Sequence, residues 1–167
     1  TDHSARVECT DCHDARPHDN LRLDAHTASV ACQTCHIPEM AIEVPTKMEW
    51  DWSTAGQDLD IDDPHVYMKK KGNFRYEQGA IPEYRWYSRT AGAGRYLTGQ
   101  KIEDPEGVLK LNTLCGEGND PDALLWPVKV HRGKQPYDID NGYLLIPKTV
   151  GEGGYWTEFD WDLAFRL

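Results

Sequence analysis

Two five-residue stretches concentrate the reactive side chains of this chain: Cys9-Thr10-Asp11-Cys12-His13 and Cys32-Gln33-Thr34-Cys35-His36. Each reads C-x-x-C-H, the pattern to which haem c is covalently attached. Thiols three residues apart project from one side of a single turn, where they can add across the two vinyl groups of one porphyrin. The histidine that follows sets a ring nitrogen on the iron as its proximal ligand. The pattern therefore predicts two haems c, with Cys9, Cys12, Cys32 and Cys35 as tethers and His13 and His36 as proximal ligands.

Two other chemistries fit the cysteines alone. Nineteen residues separate Cys12 from Cys32, so the four thiols also match a structural zinc spacing. A disulfide framework is the third option. Neither gives a reason for a histidine directly after each cysteine pair. The segment also holds His3, His18 and His26, more imidazole than one tetrahedral ion can take.

Each iron needs a sixth ligand or an open position. His3, His18 and His26 are the distal candidates, and their spacing leaves open which iron each one serves. Imidazole on both faces closes the iron to substrate and favours low-potential electron transfer over what a Met partner would give. His65 and His131 lie among polar loop residues and read as surface histidines, with a propionate contact as the functional alternative. Met40, Met48 and Met68 read as packing residues. Lys47, a residue type able to ligate haem iron, reads as solvated or ion-paired. Cys115 stands alone and reads as a structural thiol. Asp58, Asp60, Asp62 and Asp63 resemble a calcium loop, but Lys69 occupies the place of its bidentate Glu. No residue earns a catalytic assignment.

The elements that must position these groups divide near residue 45. Residues 1–45 form a dihaem segment with five of the seven histidines; residues 46–167 are haem-free and hold all six tryptophans and all eight tyrosines. The predicted fold is that of a multihaem cytochrome c: short helices and irregular loops around haems, then a loop-rich region with a few short β-hairpins, one domain in all. Asp140-Asn141-Gly142 is the best hairpin signal, since Asn-Gly suits a type I′ turn. Residues 74–76, 84–87 and 128–130 read as strands. Thr157 is placed to cap a helix running to Leu167, with Phe159, Leu163 and Leu167 on one face. The chain opens without Met or leader and ends without a helix stop, which reads as a piece of a longer product.

Composition excludes some partners. Apolar residues make up 39% of 167 and the net charge is −10, with a mean hydropathy of −0.70. The apolar content is lean, and buried porphyrins would supply volume that side chains do not. A nucleic-acid partner is not expected, because phosphate neutralisation needs clustered Lys and Arg; Lys69-Lys70-Lys71 is the only basic run. An acidic surface suits a redox protein that meets basic patches. No stretch has the apolar length of a membrane span or signal peptide.

The run from Val30 to Gly56 (VACQTCHIPEMAIEVPTKMEWDWSTAG) resembles the octahaem c-type cytochromes of the tetrathionate reductase family. So do residues 82–87, 126–130, 132–138 and the closing Phe159-Asp160-Trp161. The resemblance implies a periplasmic or extracellular protein with eight haems packed in a wire. Most irons of the family are bis-histidine, and one lysine-ligated haem is held to reduce tetrathionate, nitrite or hydroxylamine. This chain departs by carrying two motifs, and the lysine role does not transfer to Lys47.

The resulting expectation is electron relay, from a neighbouring haem through two haems to another haem or a redox partner protein. The alternatives are a segment of a reductase for sulfur or nitrogen oxyanions, with its catalytic haem outside this chain, or a subunit of an extracellular cytochrome filament built as a homo-oligomer.

Overall fold

Thr34 shows how the motif segment is tied down. Its hydroxyl donates to the Leu125 carbonyl at 2.7 Å, and the same carbonyl accepts from Ala31 N at 3.0 Å. In this computed structural model, which describes residues 7–166, the chain separates into two units. Few and short helices, many short strands and long connections make up both, as expected of a multihaem cytochrome.

The first unit comprises residues up to Pro38 together with Pro82–Gly94 and Leu114–Val128. It begins with a 3-10 turn at Cys9–Asp11, followed by α1 (Leu21–His26) and α2 (Cys32–His36). Asn20 caps α1, its side chain accepting from Arg22 N at 2.9 Å; this is what an Asx residue does at a helix start. Beneath them lies the antiparallel pair of β4 (Glu83–Ser88) and β7 (Ala123–Val128), in register from Glu83↔Val128 to Ser88↔Ala123. A parallel bridge from Val30 to Leu125 lays the start of α2 along β7. Ala31, Pro82, Ser88 and Ala123 are the buried residues among those described in this unit. They are small, so backbones approach closely, and little apolar volume is buried.

The second unit comprises Glu39–Ile81, Arg95–Thr113 and Lys129–Leu167. Its sheet has the order β2 (Tyr67–Met68), β3 (Gly72–Glu77), β1 (Thr46–Asp51), β8 (Arg132–Lys134). β1 runs antiparallel to β3 and parallel to β8. The three-residue strands β5 (Ala93–Arg95) and β6 (Asn112–Leu114) carry the chain at the unit boundaries. The pair β9 (Tyr137–Asp138) and β10 (Tyr143–Leu144), then α3 (Tyr155–Glu158) and α4 (Trp161–Arg166), complete the unit. Its core is aromatic: Tyr155, 1% exposed, lies flat on Trp161 at 3.5 Å between ring centres, and Trp52 meets Trp161 edge-on at 5.5 Å.

Three sequence expectations need correction. The helix forecast from Thr157 begins earlier, at Tyr155, and is broken at Phe159, whose φ of 54° ends α3 in a left-handed turn; its proposed end, Leu167, lies outside the described residues. The Asn-Gly hairpin is a four-residue loop, because Tyr143 pairs with Asp138. Asp138 caps that loop, accepting from Asp140 N and Asn141 N at 2.9 Å each. Of residues 128–130 only Val128 is in a strand; the strands forecast at 74–76 and 84–87 lie within β3 and β4.

Candidate functional site

In both C-x-x-C-H motifs the thiols stand exposed on a single helical turn. In the first, Glu8 N donates to Asp11 Oδ2 at 2.7 Å, and His13 N closes the turn onto Cys9 O at 2.9 Å. Glu8 is in turn held by Arg89, whose Nη1 lies 2.5 Å from Glu8 Oε1. In the second, Ala31 and Thr34 face the protein through their bonds to Leu125, which leaves Cys32, Cys35 and His36 on the outside. All four motif cysteines are free and exposed. Burial pushes the Cys32 thiol up in pKa, and the charge of and hydrogen bond with Cys9 push it further. The two motifs therefore approach each other at Cys9 and Cys32.

His18 faces His36. Their ring centres are 6.2 Å apart and their planes 20° from parallel. A metal–imidazole bond is about 2.0–2.1 Å and the ring centre sits roughly 1.2 Å behind its nitrogen, so two imidazoles trans on one ion place their centres roughly 6.4 Å apart. The observed separation is close to that spacing, with the two rings stacked and near-parallel. His18 is also oriented: its Nδ1 lies 3.1 Å from Asp24 Oδ1, and its backbone N donates to the same oxygen at 3.1 Å. A carboxylate only accepts, so in the neutral ring the proton is on Nδ1 and the lone pair on Nε2. Carboxylate-oriented imidazole is the usual outer-sphere support of a metal ligand. The Asp24 side chain is only 9% exposed against 30% for His18, which strengthens the contact.

Apolar side chains fit a porphyrin there too. Leu21 is 82% exposed, and Leu23, Val7 and Ile37 are exposed as well. These are large apolar surfaces in the same unit as the motifs, of the kind a flat apolar group would cover. The donor set, two thiols and a histidine on each turn with an oriented second imidazole for one of them, fits haem c. Among the described residues no three His, Cys, Asp or Glu side chains are gathered as a metal-ion cluster.

The remaining candidates are dispersed. His26 ends α1 and is exposed. His3 lies outside the described residues. Lys47 is half-buried, and its Nζ lies over the Phe74 ring at 3.8 Å, with Trp50 and Tyr76 at 5.1 and 5.5 Å. Met48 is buried in β1. Lys69 pairs with Asp58 at 2.5 Å, which occupies one of the acidic residues of the calcium-like run. Sequence reasoning passed over Asp24 and Thr34; a carboxylate six residues after a candidate ligand was the available signal for the first.

The profile of the family described as "Cytochrome c bacterial" matches residues 47–167. The crystal structure of octaheme cytochrome c from Shewanella oneidensis is similar, with a TM-score of 0.88 and 50% identity over 95% of this chain and 37% of that one. The chain thus spans little more than a third of that protein's length. No curated protein matches.

Proposed function

We propose, from the premise that this chain belongs to the bacterial cytochrome c family and carries covalently bound haem c for electron transfer, that it is a two-haem relay segment of an octahaem cytochrome. When bound, haem c supplies a reversible one-electron couple at iron. Cys9 and Cys12 hold one haem, with His13 as proximal ligand. Cys32 and Cys35 hold the second, with His36 proximal and His18 distal. His26 and His3 are the candidates for the remaining axial position. In the family that this chain resembles, the tetrathionate-reductase role goes with a lysine-ligated haem, and that role is not assigned to Lys47. Attachment of haem c takes place outside the cytoplasm, so the periplasm or cell exterior is the compartment.

The observation that carries this reading is the His18–His36 pair. Two imidazoles on one iron leave no exchangeable position, which supports relay over reduction of an oxyanion. His18 holds its proton at Nδ1 on Asp24 and presents Nε2; His36 is fixed by the turn that Thr34 anchors. The test is His18→Ala in the haem-loaded chain, read by electron paramagnetic resonance and by cyanide binding. One of two low-spin irons should become high-spin and bind cyanide. Two unchanged low-spin signals would refute the pairing.

A further inference from the structure

Two irons have four axial positions, and His13, His36, His18 and one of His26 or His3 fill them. The other of His26 and His3 is left over in the motif segment, and so are His65 and His131, which both lie in the second unit, where there is no C-x-x-C-H motif. His131 is prepared in the same way as His18. Its Nδ1 lies 3.3 Å from the Lys47 carbonyl oxygen. A carbonyl can only accept, so in the neutral ring the proton is on Nδ1 and the Nε2 lone pair is free; the ring is exposed. A backbone carbonyl is one of the standard outer-sphere partners of metal-bound imidazole.

That carbonyl is firmly held. Lys47 is in β1, paired across to Tyr76 of β3, and its ammonium is pinned over the Phe74, Trp50 and Tyr76 rings. The residue after His131 opens the parallel pairing of β8 with β1 at Glu49↔Arg132. His131 is therefore mounted on an inner strand of the sheet. His65 is not: its partner Asp63 is two residues away on the same turn and 58% exposed, and its ring is committed edge-on to Tyr76 at 4.8 Å.

We infer that His131 Nε2 is an axial ligand for a c-type haem carried by another polypeptide segment, one whose own motif supplies the proximal imidazole and leaves the opposite face open. The inference rests on the bis-imidazole reading above. The haem's source is either a second copy of this chain or a different cytochrome segment; the chemistry is the same.

The probe is microperoxidase, a haem c peptide with one vacant axial position, added to the haem-loaded full chain and followed by its Soret shift to the low-spin form. One equivalent should bind. His131→Ala and His131→Asn, the second keeping a donor for the Lys47 carbonyl, should weaken binding at least tenfold, while His65→Ala should not. If the wild-type chain self-associates and both His131 variants are monomeric, the haem comes from a second copy. Equal affinity of wild type and His131→Asn for the probe would overturn the inference. So would loss of one of the chain's own low-spin signals in monomeric His131→Asn, since His131 would then serve an internal haem. His18→Ala reports on the internal pair alone, so failure of that reading is seen separately from failure at His131.

Discussion

At the scale of single residues, the motif cysteines and histidines declare themselves because their chemistry is local: tethers and proximal ligand lie within one turn. The distal ligand does not, because it depends on which imidazole the fold brings to the other face. His18 is legible as a candidate; its contact with Asp24, a residue with no motif of its own, and its approach to His36 come from the fold. Replacing Asp24 by Asn removes the carboxylate acceptor but keeps the size. Its loss should weaken the axial imidazole by about 10–100-fold, the usual effect of deleting such support, read as faster displacement of His18 by cyanide with the other haem unaffected. A second residue-scale expectation concerns Tyr155. Burial, and then the charge of Tyr67, raise its pKa above the ordinary phenol value of 10.0. The folded state thus holds the phenolic proton more tightly than the unfolded state. The stabilisation is fully present below about pH 10 and is lost as pH rises through the folded pKa. Urea midpoints measured from pH 8 to 11 should fall more steeply for wild type than for Tyr155→Phe; parallel curves would count against it.

At the scale of elements, strands were legible where aromatic residues alternate with polar ones, as in β3 and β4, and illegible where a single side chain resets the chain path. Asp138 caps two successive backbone N–H groups and so widens the Asn-Gly hairpin to four loop residues. Phe159 adopts φ 54°, which no propensity would forecast for a phenylalanine; its ring packs on Tyr155 at 5.7 Å and under the Lys69 ammonium at 4.7 Å, contacts that offset the strain. Gly72 is the opposite case, a position only glycine can fill. With φ 87°, a Cβ there would lie 2.2 Å from the Asp51 carbonyl oxygen and 2.8 Å from Thr54 Oγ1. That hydroxyl accepts from Asn73 N at 2.8 Å and so ties β3 to the turn after β1. Gly72→Ala combines left-handed strain with overpacking and should cost roughly 2–5 kcal/mol. Gly151, φ 82° with nothing within 4 Å, should cost only the backbone part, about 1 kcal/mol, when changed to Ala. Equal losses in urea unfolding would show that close approach is not what selects Gly72.

At the scale of the whole molecule, the property with the longest reach is charge. Lys and Arg number 18 against 28 Asp and Glu, and haem propionates would add further negative charge when bound. Such a field steers encounter with a cationic redox partner and repels an anionic one. It also falls away with salt, as the screening length shrinks from about 30 Å at 0.01 M to about 8 Å at 0.15 M. Electron transfer from the reduced chain to a basic small cytochrome should therefore slow as ionic strength rises, by at least tenfold over that range if steering dominates the on-rate. Transfer to an uncharged small-molecule mediator should stay level, because no field acts on it. The only basic run, Lys69-Lys70-Lys71, offers the competing mode of docking, through a positive patch on an acidic partner. Lys69 is already held by Asp58, and Lys71 Nζ lies 5.9 Å from the centre of the Trp156 ring, which leaves Lys70 as the cation most available to a partner. If rates with the basic cytochrome were to rise with salt, or if Lys70→Glu slowed transfer to it, docking would lie on that patch and the acidic surface would not be the face that meets partners.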